Sequence, residues 1–272
     1  MTTNQAAPTY DVFAIKYATN PNRTRGHNFI KDADPLAPLT MDFFCWVIVG
    51  DGKAIVVDTG MAPEKAARHG HQFIASPVET LKKLGVDPAS VETVIMTHLH
   101  YDHTGHTEHF PKAKFLLQAE EMSHVTGPYM ENPFFRHAYE VDELQKFLGY
   151  LHSGRLKLHG RDYTVADGIS VHWVGGHTAG QEVVRVRTKR GWIVLASDAL
   201  HYEEELTRGV PFAIVFSIAD MIKSHERIRE LADSDDHVVA AHDPNVLDLY
   251  PAASPDLAGL AVKVDEAPLP RR

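Results

Sequence analysis

The sequence predicts an α/β protein, a parallel or mixed sheet with helices on its faces. Three observations carry that class. Short apolar, β-branched runs recur along the chain, at residues 43–49, 53–57, 91–95 and 114–118 and again at 169–174, 182–187 and 192–196. Segments of helical spacing, at 63–84 and 219–232, fall between such runs, and strand, helix, strand is the order that a sheet with crossovers requires. His and Asp residues stand just past several of the runs, where sheet proteins gather reactive groups.

Taken in order, the opening to about Pro8 is polar and reads as loosely attached, and residues 10–18 alternate as a strand. Residues 19–40 hold Pro21, Pro35 and Pro38 and read as a long loop; loops of that length inside a compact domain usually serve function, which singles out Asn28 and Phe29. Gly50-Asp51-Gly52 joins the runs 43–49 and 53–57 as a hairpin, and the second run ends on a carboxylate in Asp58-Thr59-Gly60. The helical stretch 63–84 breaks near Ser76-Pro77, where Ser76 is suited to cap a second helix that Gly85 closes.

After the strand at 114–118, residues 119–158 read as a mainly helical insertion that can lie over a site. Its breaks are Gly127-Pro128 and Asn132-Pro133, and its aromatics Tyr129, Phe134, Phe135 and Tyr139. Further strands at 163–165, 169–174, 182–187 and 192–196 are linked by turns at Asp167-Gly168 and Lys189-Arg190-Gly191. The helix at 219–232 carries Met221, Ile222, His225, Ile228 and Leu231 along one side. A short strand at 238–241 follows, and the Pro- and Ala-rich tail from Ala252 reads as peripheral. No linker divides the chain, so one domain is expected over 1–272.

Composition narrows the partners. With 27 Lys plus Arg against 36 Asp plus Glu the net charge is -9, which repels phosphate backbones and argues against nucleic acid. The single cysteine, Cys45, lies among Phe43, Phe44 and Trp46, so no intrachain disulfide or thiolate zinc cluster forms and the residue reads as a buried strand position. No leader pattern and no apolar run long enough for a bilayer are present, so no membrane partner is expected and the cytoplasm is the default location.

The densest chemistry is His98-Leu99-His100-Tyr101-Asp102-His103, directly after the strand at 91–95. Three imidazoles and a carboxylate packed into six residues repel and desolvate one another unless a cation sits among them. Without thiolates, Zn²⁺ is the first candidate. His177, Asp198 and His242 each follow an apolar run as well; singly each is an ordinary loop residue, together they repeat the strand-then-ligand placement. Seven such groups exceed one tetrahedral ion and suit two ions sharing a carboxylate.

This motif with His177, Asp198 and His242 in that order closely resembles the metallo-β-lactamase superfamily, over roughly residues 43–245. The resemblance implies an αβ/βα sandwich, two mixed sheets face to face between outer helices, with metals at one edge. It implies that His98, His100 and His177 hold one ion, that Asp102, His103 and His242 hold a second, that Asp198 bridges them, and that Asp58 orients site histidines. Two divalent ions are implied, zinc first, with iron, manganese or cobalt as alternatives.

Within the superfamily the chain is most similar to the N-acyl homoserine lactonase group, on Gly176-His177-Thr178-Ala179-Gly180-Gln181, Ser197-Asp198-Ala199, Val210-Pro211-Phe212 and Ala241-His242-Asp243. That likeness implies a small-molecule substrate, a lactone ring opened by a metal-bridging hydroxide, with Asp102 returning a proton to the leaving oxygen. The group commonly has a tyrosine three residues after the bridging aspartate; here His201 stands there with Tyr202 beside it, and both are candidates to steady the oxyanion. Phe29, Met61, Phe134, Phe135, Phe212 and Phe216 are candidates for an acyl pocket.

Alternatives are another ester, a thioester, a phosphodiester, or a mononuclear iron dioxygenase on the same scaffold. Against them, the cysteine that the commonest β-lactamases carry at the position of Asp198 is absent, as is the glutamate of diiron redox members at His100, and no late basic cluster awaits glutathione. The oligomeric state stays open, a homodimer included.

Overall fold

In the computed structural model, residues 8–270 are described. The opening expected to be loosely attached lies, Pro8 apart, outside the described residues. The first sheet grows from β1 (Asp11–Asn20), β2 (Met41–Gly50) and β3 (Lys53–Val57), an antiparallel series, with the short α1 (Arg25–Asn28) in the long connection from β1 to β2. The hairpin turn between β2 and β3 is as expected: Asp51 and Gly52 both take left-handed φ, +50° and +69°, which lets the turn follow the strand twist.

The short β4 (Gln72–Phe73) pairs with β1; β5 (Thr93–Met96), β6 (Lys114–Gln118) and β7 (Leu156–His159) then continue in parallel beyond β3. The second sheet runs β12-β11-β10-β9-β8, from β8 (Asp162–Ala166), β9 (Ile169–Trp173), β10 (Glu182–Thr188), β11 (Gly191–Leu195) and β12 (Val238–Val239).

Alternation along the strands sorts the core into layers. On β2, Phe44, Trp46 and Ile48 face Val171, Val184, Ile193 and Leu195 of the other sheet, while Phe43, Cys45 and Val47 face outward. The outer face of the first sheet is covered by α2 (Pro63–Arg68), α3 (Pro77–Lys83) and α6 (Val141–His152), which bring Ala66, Leu81 and Phe147. On the second sheet, Val183 and Val194 pack under Ile228 and Leu231 of α8 (Ile218–Leu231). Helices, sheet, sheet, helix is the sandwich the resemblance implied.

Helix ends follow the local chemistry. Ser76 Oγ accepts from Glu79 N at 3.4 Å at the start of α3, and Gly85 takes φ +81° after its end. The stretch 63–84 is less continuous than its spacing suggested, since β4 intervenes. Residues 119–158 hold α4 (Ala119–Val125), α5 (Pro133–Arg136) and α6, but close on β7, an edge strand.

The tail corrects its expectation. Instead of lying peripheral, β13 (Ala261–Lys263) pairs with β1, and Ala261, Val262 and Val264 are at most 1% exposed. A three-residue strand shows no periodicity of its own; pairing and burial against a finished sheet define it. Among the described residues no helix is long and apolar enough to cross a membrane.

Candidate metal centre

Strands β3, β5, β11 and β12 end at one edge, and the polar groups follow their last residues. Two non-glycine residues there adopt left-handed backbone, Asp58 at φ +57° and Ser197 at φ +45°, a conformation that costs energy and persists where the surroundings hold it. Those surroundings are a small lattice of hydrogen bonds. Thr97 donates its N–H to Asp58 Oδ1 (2.8 Å) and its hydroxyl to Asp58 Oδ2 (2.7 Å), and Ser197 Oγ lies 2.7 Å from Thr97 Oγ1. The loops carrying the first histidines and Asp198 are thereby registered on each other.

The structure brings all seven expected ligands together. His98, His100 and His177 form one group and Asp102, His103, Asp198 and His242 another, the donor atoms in each within 4.8 Å of one another and all buried. Asp198 spans the two. Its Oδ1 is 3.1 Å from Nε2 of both His103 and His242, and its Oδ2 is 3.3 Å from His177 Nε2 and 4.0 Å from His98 Nε2.

Proton placement tests whether these residues suit a metal. His103 Nδ1 lies 2.7 Å from Asp58 Oδ2, His177 Nδ1 2.9 Å from the Ile214 carbonyl, and His242 Nδ1 2.7 Å from the Asp42 carbonyl. Each acceptor fixes the proton on Nδ1, so a neutral ring turns its Nε2 lone pair toward Asp198, itself an acceptor. Lone pairs facing a carboxylate at such distances repel unless a cation lies between. His98 Nε2 and His103 Nε2 are moreover buried without hydrogen-bond partners. Without a cation, Asp198, Asp102 and Asp58 would hold an extra proton on His103 against the pull of burial, well above the ordinary imidazole range; a divalent ion takes the place of that proton. Nitrogen and carboxylate donors in this number fit divalent transition ions.

The two oxyanion candidates part company. His201 is fully buried, its ring stacked on Phe212 at 3.6 Å between centroids, with Nε2 3.1 Å from Asp198 Oδ2. Burial pushes its pKa down to about 3, so the ring is neutral. Tyr202 is turned elsewhere: its hydroxyl donates to the Thr40 carbonyl (3.1 Å) and accepts from Asn28 Nδ2 (2.9 Å). Adjacent residues at the start of α7 (Glu203–Arg208) point to different sides, which sequence proximity does not reveal.

The aromatic candidates divide likewise. Phe134, Phe135 and Phe216, with Tyr139, line a cavity of about 150 Å³ beside His100 and His177. Phe212 borders a smaller cavity, about 40 Å³, over Asp102 and Asp198. Phe29 packs on Tyr202, and Met61 belongs to the core.

One residue that sequence reasoning missed organises both loops of the first group. Glu121 on α4 is fully buried and accepts from Leu99 N (3.1 Å) and Tyr139 Oη (3.4 Å) on Oε1, and from Thr178 Oγ1 (2.6 Å) and Gly180 N (3.1 Å) on Oε2. Gly180 must be glycine here, since a Cβ would fall 2.1 Å from Glu121 N. In the sequence Glu121 looks no different from the half-exposed Glu120 before it.

Two sheets between helices, with five imidazoles and two carboxylates gathered at one edge, define the metal-centred class of αβ/βα sandwich proteins. The model of the Metallo-beta-lactamase superfamily matches residues 44–242, and the chain belongs to that superfamily. An N-acyl homoserine lactonase of Bacillus thuringiensis is 25% identical over 217 residues, 74% of this chain and 80% of that protein. AttM, an N-acyl homoserine lactonase of Rhizobium radiobacter, is 29% identical over 178 residues, 62% of this chain and 64% of its own length. Among solved structures, a quorum-quenching N-acyl homoserine lactone lactonase superposes with a TM-score of 0.72 at 22% identity, covering 87% of this chain and 94% of that one. Its relatives and structural neighbours are thus metal-dependent hydrolases, lactonases among them.

Proposed function

We propose that the chain is a dinuclear metal-dependent hydrolase that opens a small lactone, an N-acyl homoserine lactone or a related ring. The observation that carries this reading is Asp198, whose two carboxylate oxygens each face a different imidazole group. His98, His100 and His177 would hold one ion, Asp102, His103 and His242 the other, and Asp198 both. Two divalent ions so held supply Lewis acidity and water that is nucleophilic near neutral pH.

The remaining work falls to the chain. His201, neutral and held flat against Phe212, is placed beside Asp198 to donate Nε2–H to the acyl oxygen as charge develops there. Asp102, at the cavity over the centre, is the group to take up the proton that the attacking water gives up and pass it to the leaving alkoxide. Tyr202, with its hydroxyl engaged by Asn28 and Thr40, takes no part in that step. The cavity beside His100 and His177 suits one apolar substituent, since about 150 Å³ accommodates a benzene-sized group.

The test is a substrate panel run with metal content measured on the same sample: γ- and δ-lactones with short and long acyl chains, thioesters, aryl phosphodiesters and a β-lactam, with product mass. Ring-opened hydroxy acids and two transition ions per chain are expected. A single iron per chain with oxygen consumed would replace this reading with a dioxygenase, and phosphodiesters as the preferred substrates would replace the lactone. His201→Phe is expected to lower kcat by about 10²-fold with KM little changed. An unchanged kcat would remove His201 from the acyl oxygen.

A further inference from the structure

We propose that Arg23 and Tyr101 form an anion-binding pair over the centre, so that the substrate carries a carboxylate on its non-reacting part. The inference rests on the hydrolase reading for where the substrate lies, and on independent geometry for what it carries. Both residues border the cavity over Asp102 and Asp198, and neither borders the adjoining aromatic cavity beside His100 and His177.

Arg23 is a half-buried guanidinium held in one orientation. Its Nε donates to Asn28 Oδ1 (2.6 Å) and its Nη2 to the His27 carbonyl (2.8 Å), and its carbon lies 5.6 Å from the centre of the Phe212 ring. Asn28 is in turn fully buried and fixed by Leu39 O (3.2 Å) and Tyr202 Oη (2.9 Å). Tyr202 therefore serves the cleft at one remove, as a positioning residue for Arg23. Among the described residues Arg23 has no carboxylate at ion-pair distance, and Nη1 has no partner. Its neighbour Arg25, by contrast, is paired with Asp32 and Glu204. The guanidinium is partly withdrawn from water and Asp102 attracts it only from beyond ion-pair distance, so an anion set directly against Nη1 would offset that cost.

The proton directions around Tyr101 supply the second donor. Asn22 N–H donates to Asn20 Oδ1 (3.1 Å), which turns the Asn20 amide NH₂ toward His71 Nδ1 (3.1 Å). His71 Nδ1 is thus the acceptor and its proton sits on Nε2, 2.7 Å from Tyr101 Oη. The Tyr101 oxygen receives that bond, so its own hydrogen is free for another acceptor. The ring cannot turn away, being stacked on His69 at 3.7 Å between centroids and 4° between planes. Two spare donors, one of them charged, border one cavity; a neutral lactone satisfies the hydrogen bond and leaves the charge unmatched.

The metal-loaded enzyme is assayed with a matched pair, 5-oxotetrahydrofuran-2-carboxylate and the neutral γ-valerolactone. The ratio of kcat/KM is read within each variant, so that a general loss of activity cancels. Wild type is expected to favour the carboxylate by about 10²-fold; Arg23→Met brings the ratio close to one through KM, Arg23→Lys restores part of it, and Tyr101→Phe lowers it about tenfold. Calorimetry with the ring-opened acids, 2-hydroxyglutarate against 4-hydroxypentanoate, reads the same preference without turnover. Equal kcat/KM for both lactones, or an undiminished ratio in Arg23→Met, overturns the anion pair and leaves the hydrolase reading standing. If neither lactone opens but wild type binds 2-hydroxyglutarate selectively and Arg23→Met does not, the lactone reading falls and the anion pair stands. The absence of both turnover and selective binding overturns both readings.

Discussion

Replacing Asp198 by Ala is expected to reduce kcat at least about 10³-fold and to take the metal content from two ions per chain to one or none. The size follows from its position. Its Oδ1 faces His103 and His242 and its Oδ2 faces His177 and His98, so one substitution removes the shared negative charge from both imidazole groups. Asp198→Asn separates charge from shape, because it preserves the volume and the one-sided acceptor but not the bridge; it is expected to lose the same metal, and any further fall in melting temperature in Asp198→Ala then measures the lost packing. Elemental analysis beside steady-state kinetics measures both. A variant retaining two ions and full turnover would show that the bridge lies elsewhere.

The largest stability effect is expected at Glu121, which holds the residues beside His98, His100 and His177. Glu121→Ala leaves the buried N–H groups of Leu99 and Gly180 and the hydroxyls of Thr178 and Tyr139 without their acceptor. Stranded buried donors and the lost charged bonds together cost about 3–5 kcal/mol, which lowers the melting temperature by about 10 °C. Glu121→Gln is expected to be nearly as damaging. Each carboxylate oxygen accepts a backbone N–H, so the amide NH₂ meets another donor in either orientation. Leu99 sits between His98 and His100, and Thr178 follows His177, so both variants are also expected to bind the first ion more weakly. A melting temperature within about 2 °C of wild type would mean that the loops hold themselves.

How much of this was legible in the sequence depends on the range of the forces involved. The hairpin at Asp51 and Gly52, the cap at Ser76 and the stop at Gly85 are decided within a few residues, and each stands as read. The central strands were legible because a strand covered on both faces is apolar throughout, as Phe43 to Val49 is on β2 between its two packed layers. The failures share a cause. β13 has three residues and no pattern, and becomes a strand only where β1 offers it an edge. Adjacency groups Tyr202 with His201, but the backbone at the start of α7 sends one ring to Asp198 and the other to Asn28.

The sequence by itself determined an α/β sheet protein and, through its likeness to the superfamily, pointed to the sandwich and to seven His and Asp residues expected to hold metal. Imidazoles and carboxylates crowded at the ends of apolar runs need a cation to coexist, and that requirement is written in residue type and order. Only the tertiary structure decided which oxygen of Asp198 faces which group, that Glu121 ties the two histidine loops, and that Arg23 borders the cavity over the centre with no carboxylate at ion-pair distance among the described residues. Those facts depend on hydrogen-bond direction and on contacts between residues dozens to hundreds of positions apart, and such geometry exists only once the chain has closed on itself.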